Sequence, residues 1–252
     1  MARLIEFAGG GYAFLEGVYP YSQGVIARPG FAIERARFAR PLPMAQGFEA
    51  IAAHLAAMGR PRGALCAAEL RSPRPFSFGG FGDFNRGYVA VLEDWGIFRD
   101  GLNPVARSNV APEIDPPAEP SFHAFCYTVQ ATRAEPSFVV AGSGEWPEGG
   151  RFPEDIVARG DISPAGLRAK ARWVLDMMEQ RLRGLGVEAG WAAVSATQVY
   201  TVHDLHPFLG EEIVARGAAP AGLTWHYCRP PIGGLEYEMD TRGVALERVI
   251  RA

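Results

Sequence analysis

The chain has 252 residues, of which 48% are hydrophobic and 21% charged, and its formal net charge is −3. That is enough apolar material for one large domain or two of ordinary size. The weak negative charge excludes a basic field for nucleic acid or an anionic membrane. No stretch approaches the ~20 apolar residues of a membrane helix. The start is not patterned as a signal peptide, because Arg3 and Glu6 break its short apolar run. Cys66, Cys126 and Cys228 are far apart and form no Cys-x-x-Cys pair. They argue for reduced thiols in the cytoplasm and against a structural zinc site.

In chain order, Phe48, Ile51, Ala52, Leu55 and Met58 make an apolar stripe at helical spacing that stops at Gly59. A strand is expected over 63–70, then a helix over 84–95 with Tyr88, Val91 and Leu92 inward. Strands over 106–110 and 122–129 close the first half. The glycine-rich run Gly79–Asn85 fits neither Rossmann nor Walker spacing. It reads as a loop that caps the second helix through Asp83, and its phenylalanines are candidates to line a cleft.

The second half repeats this order. Ser163 is a good N-cap and Pro164 suits the first helical position. Leu167, Ala171, Val174, Leu175, Met178 and Leu182 form one stripe that ends at Gly184 and Gly186. A strand over 191–202, a short helix over 207–216 and strands over 223–228 and 235–239 follow. Similarity at about half the chain length points to duplicated domains rather than a short-period solenoid. Pro112–Pro120 has linker composition but corresponds to the turn Arg229–Gly234 inside the other unit. The division therefore belongs near 131–136, with domains at 1–131 and 132–252.

Several short motifs resemble the RidA (YjgF) family. Pro20-Tyr21-Ser22-Gln23-Gly24-Val25 resembles its opening Pro-Tyr-Ser-Gln-Ala-Val, and Pro104-Val105-Ala106-Arg107-Ser108 its Pro-Ala-Arg-Ser segment. Ala141-Gly142-Ser143-Gly144-Glu145-Trp146-Pro147 is similar to the strand ending Ser-Gly-Gln-x-Pro. Gln198–Leu205 is similar to Thr-Val-Phe-Val-x-Asp-Leu, and Leu235-Glu236-Tyr237-Glu238 to the closing Ile-Glu-Ile-Glu. The resemblance implies an α/β (α+β) fold of two tandem RidA-like, chorismate-mutase-like domains. Each would be a mixed sheet with two helices packed on one face. It also implies small-molecule clefts between neighbouring domains and a three-fold ring. Two domains per chain would then make a homotrimer, a pseudo-hexamer of domains.

Members of that family hydrolyse enamines and imines derived from amino acids; others in the superfamily act on aminomuconate or chorismate, and some have no known catalysis. The two halves depart from the pattern in opposite ways. The first keeps Arg107 but has Glu34-Arg35-Ala36-Arg37 at the Ser-Gly step, and Ser121 or His123 where the glutamates belong. The second keeps Ser143-Gly144 and Glu236 but has Gly222 or Leu223 at the arginine position. The expectation is one composite site.

In that site Arg107 holds a substrate carboxylate bidentately and Glu236 holds the hydrolytic water. Glu236 and Glu238 would share a face by strand alternation. Ser143 and Gly144 offer a hydroxyl and close backbone approach. Tyr21 covers the cleft, with Ser108 and His123 as further substrate contacts. His203-Asp204-Leu205-His206 reads as a capping loop rather than a metal site. The expected activity is cofactor-free, metal-free hydrolytic deamination of an enamine or imine carboxylic acid, 2-aminoacrylate-like or aminomuconate-like. The rivals are chorismatase-like enol-ether cleavage and a non-catalytic carboxylate-binding or assembly protein.

Overall fold

The computed structural model describes residues 2–132 and 136–251. The predicted division of the chain thus falls partly on residues 133–135, outside the described residues. Seven strands come from the first part of the chain: β1 (Leu4–Phe7), β2 (Tyr12–Leu15), β3 (Gly24–Ala27), β4 (Phe31–Pro43), β5 (Leu65–Arg71), β6 (Ala106–Pro112) and β7 (Ser121–Gln130). The rest follow: β8 (Phe138–Gly144), β9 (Ala196–Tyr200), β10 (Leu223–His226), β11 (Cys228–Arg229), β12 (Glu238–Gly243) and β13 (Leu246–Ile250). They form two mixed sheets. One has the order β1-β2-β3-β8-β12-β9-β10 and the other β11-β6-β5-β7-β4-β13.

Each sheet covers one face with helix. Phe48, Ile51 and Leu55 of α1 (Met44–Ala57) and Tyr88, Val89 and Leu92 of α2 (Phe78–Asp94) are buried with Phe38, Leu70, Phe122 and Phe125 of the six-stranded sheet. The stripe of α3 (Pro164–Gly184) is buried against Phe138, Val140, Val199 and Met239 of the other sheet. Each fully buried side chain of this size stabilises the fold by about 1.5–3 kcal/mol. α3 matches its predicted range. Ser163 Oγ accepts from Gly166 N at 3.2 Å, and Gly186 beyond the end takes a φ of +76°, which suits glycine.

Other elements differ from expectation. α2 starts at Phe78, because Ser77 Oγ caps Gly80 N at 3.1 Å. The Gly79–Asn85 run is therefore helical, and Asp83 pairs with Arg86 instead of capping. The short helix over 207–216 is a single turn, α4 (His206–Phe208), continued by a π-helical turn over Leu209–Val214. Gly190–Ala193 is a 3₁₀ turn, so β9 is shorter than predicted. The last predicted strand begins only at Glu238, and β13 was not anticipated.

The sheets exchange strands between the two parts of the chain. β3 pairs with β8, β11 with β6, and β13 with β4. A third apolar layer, including Tyr12, Phe14, Val25, Cys66, Ala106, Cys126 and Ala141, draws on both sheets. The register of β12 against β8 shifts between Met239 and Thr241, so two β8 residues oppose Asp240. Such a bulge bends the strand and re-aims nearby side chains, and this one sits where the cleft opens.

Candidate active site

A cleft of about 390 Å³ is lined by α2, β6, the end of β8 with its following loop, the turn before β12, and Glu238. Arg107 lies at its buried end, on β6. Its guanidinium is ringed by Tyr88, Tyr21, Phe81 and Phe84, whose ring centroids lie 4.8, 5.2, 5.5 and 5.8 Å away. Contacts of this kind stabilise a desolvated cation by about 1 kcal/mol each. Nη2 donates to Asn85 Oδ1 at 2.6 Å. Nη1 is buried and has no partner. Burial lowers the Arg107 pKa, but an arginine stays charged. The result is a preformed cation with one unpartnered terminal nitrogen, costly to leave unpaired.

Of the expected site residues, Tyr21, Arg107, Ser143 and Gly144 come together in the cleft. Three others do not line it. Ser108 points to the opposite face of β6 from Arg107 and donates to Asp240 at 2.6 Å, as strand alternation requires. His123 is surrounded by Arg71, Glu69, Arg35 and His226, and burial with Arg71 pushes its pKa down to about 3. Glu236 precedes β12, so alternation does not carry it to the face of Glu238. Its partners are side chains outside the cleft: its Oε2 lies 2.8 Å from His203 Nε2, and Arg229 is nearby.

The carboxyl that does line the cleft is Glu238. Its Oε1 sits so close to Gly142 that a Cβ added there would lie 2.3 Å away. Burial, then the charges of Asp240 and Glu145, raise its pKa well above the carboxylate range, against the pull of Arg71 and Arg107. These surroundings favour the acid form of Glu238, which shares the cleft with a buried cation. The second glutamate of Leu-Glu-Tyr-Glu was visible in sequence, but a strand start placed three residues too early hid the difference. Asn85 was missed because its segment reads as a loop; the Ser77 cap and the spacing of Phe78, Phe81, Asn85 and Tyr88 are the signal for helix.

Two clamps set this geometry. Arg181 donates to the carbonyls of Ala141 and Gly142 at 3.0 and 3.3 Å, and to Glu148 at 2.8 Å. Glu145 accepts from the backbone N–H groups of Glu236 and Tyr237 at 2.7 and 3.1 Å and from Lys170 at 3.2 Å. Lys170 is the only lysine of the chain, and both members of this pair are fully buried. Breaking such a pair costs about 3–5 kcal/mol, so the turn that delivers Glu238 is tightly held. Among the described residues, no group of three or more His, Cys, Asp or Glu has a metal-binding arrangement, and no helix is long and apolar enough to cross a membrane. Asp204 Oδ1 accepts from His206 N at 3.0 Å, the geometry of a helix-start turn.

A buried arginine with an unpartnered nitrogen, sharing a small cleft with a carboxyl whose acid form is favoured, is suited to acid–base chemistry on a carboxylate compound. The protein is an enzyme of the class that acts on C–N bonds, a deaminase. It belongs to the family described as 2-aminomuconate deaminase CnbZ, whose model matches residues 4–248. It is 50% identical over 254 residues to 2-amino-5-chloromuconate deaminase of Comamonas testosteroni, covering 99% of this chain and 100% of that protein. A crystal structure of a chorismatase matches with a TM-score of 0.46 and 13% identity, over 93% of this chain and 77% of the other.

These findings correct the RidA resemblance. The matching family is the aminomuconate deaminase family, and each sheet takes strands from both parts of the chain. The tandem RidA assignment falls, and the expected homotrimer loses its basis with it. Family membership also overturns the non-catalytic rival, and it favours a C–N over a C–O bond as the target.

Proposed function

We propose that this enzyme hydrolytically deaminates a 2-aminomuconate-type enamino acid in the cleft between α2, β6 and β8. The observation that carries the reading is that Arg107, whose buried Nη1 has no partner, lines the same cleft as Glu238. Arg107 takes the carboxylate next to the reacting carbon, fixing that carbon near Glu238. The family name and the chlorinated relative support an aminomuconate skeleton.

In this scheme the Glu238 carboxyl protonates a carbon of the conjugated enamine, and the C–N unit becomes an iminium. The resulting carboxylate takes a proton from water as the water oxygen bonds to the iminium carbon. Glu238 then protonates the nitrogen of the carbinolamine. The C–N bond breaks, ammonia leaves with its electron pair, and the hydroxyl proton returns to Glu238 as the ketone forms. One water is consumed, one keto acid and one ammonia are released, and the acid is restored. No step calls for a metal or an organic cofactor.

The test is ammonia release from 2-aminomuconate by the wild-type enzyme and by Arg107→Ala. The expected result is turnover by the first and a loss of at least 100-fold in kcat/KM for the second, the size of a lost charge-assisted anchor. Unchanged turnover in Arg107→Ala, or none in the wild type, overturns the reading.

A further inference from the structure

We propose that Asn109 receives a second carboxylate, making the cleft selective for diacids that lie along β6 with one acid group on Arg107. The inference rests on the deaminase reading for which end reacts, but its own basis is separate. Asn109 is buried and lines the cleft. Its Oδ1 accepts from Ser72 Oγ at 2.9 Å, which turns the amide so that Nδ2 is the free group. That Nδ2 is buried without a partner. Buried donors are normally satisfied, and each exception calls for an explanation.

Register places the two residues together. Arg107 and Asn109 are two residues apart on one strand, so their side chains share a face, with Cα atoms about 6.6 Å apart. A conjugated six-carbon diacid carries a carboxyl group at each end. Arg107 and Asn109 both line the cleft and each has a nitrogen without a partner, Nη1 and Nδ2, so they can serve one end each of such a ligand. Phe81, Ile232 and Leu235 offer apolar surface for the hydrocarbon between them. A monoacid of the same length would leave the Asn109 amide unpaired and desolvated. Sites that hydrogen-bond a substrate group discriminate strongly against analogues lacking it for this reason. Arg86 also lines the cleft, but it is exposed and already paired with Asp83, which makes it the weaker reader of a distal acid.

The experiment uses two dead-end ligands of equal length, the diacid muconate and the monoacid sorbate, titrated calorimetrically into the full chain. The wild type is expected to bind muconate at least tenfold more tightly. Asn109→Ala is expected to weaken muconate about tenfold and leave sorbate unchanged. Asn109→Asp, which keeps the shape and the Ser72 contact, should weaken muconate further by placing like charges together. It also serves where the alanine variant fails to fold. Equal loss for both ligands, loss for neither, or a preference erased by Arg86→Ala but not by Asn109→Ala overturns the proposal. Ammonia release from aminomuconate judges the deaminase reading independently. Turnover without an Asn109-dependent preference sinks only the present inference, and the preference without turnover sinks only the other.

Discussion

Asn85 holds one edge of Arg107: Nη2 of the guanidinium donates to Oδ1 of the amide at 2.6 Å, and the other terminal nitrogen stays free. Asn85 thereby aims the arginine without neutralising it. Asn85→Asp supplies a permanent carboxylate in the same place, which competes with the substrate's own. The expected result is a rise in KM of about 10–100-fold with a smaller change in kcat, since a positioned ion pair is worth about 1.5–3 kcal/mol. Steady-state kinetics separate the two constants. A fall in kcat at unchanged KM would mean that Asn85 does something other than orient the anchor.

Glu238 links activity to pH and to stability with opposite signs. Its pKa in the folded protein lies well above the unfolded value because of burial and the charges of Asp240 and Glu145. The stability it contributes is therefore fully present below the ordinary carboxylate range and lost as pH rises through the folded pKa. Glu238→Gln stays neutral throughout. The variant should melt at a higher temperature than wild type at pH 8 and at nearly the same temperature at pH 4. Its kcat should drop by about 10²–10⁴-fold, the usual contribution of a general acid–base group. A variant that keeps its activity would remove Glu238 from the chemistry.

Gly142 is packed against that carboxyl. A methyl group there would sit 2.3 Å from Glu238 Oε1 and 3.1 Å from Ser108 Oγ, so the carboxyl must move. Gly142→Ala is expected to cost at least tenfold in kcat, because a displacement near 1 Å at a reacting group costs up to about 10²-fold. Full activity in this variant would show that Glu238 acts from a different position.

His123 gives the fold an acid limit. Its pKa is pushed down to about 3 by burial and Arg71, and that of His226 to about 4 by the same causes. Groups with depressed folded pKa values contribute stability that is complete above the unfolded value, about 6.5, and lost as pH falls toward the folded one. Each unit of difference is worth about 1.4 kcal/mol. Urea midpoints should fall between pH 7 and pH 4.5, and His123→Asn should flatten that fall. An equal pH dependence in the variant would place the acid sensitivity elsewhere, with His226 the next group to replace.

Local signals in the chain were enough to determine the mixed α/β class, α3 with its Ser163 cap and the stripe of α1. These features follow from neighbours within a few residues, where periodicity, capping and motif spacing act. Only the tertiary structure decided the rest. Strand pairings such as β3 with β8 and β4 with β13 join residues far apart in sequence, and no local pattern encodes them. The choice between Glu236 and Glu238 depended on where β12 begins and on a bulge opposite Asp240, because a shift of one step in a strand sends a side chain to the other face. The burial that favours the acid form of Glu238 and the missing partners of Arg107 Nη1 and Asn109 Nδ2 are properties of the assembled cleft. They arise only when α2, β6 and β8 are brought together around the same space.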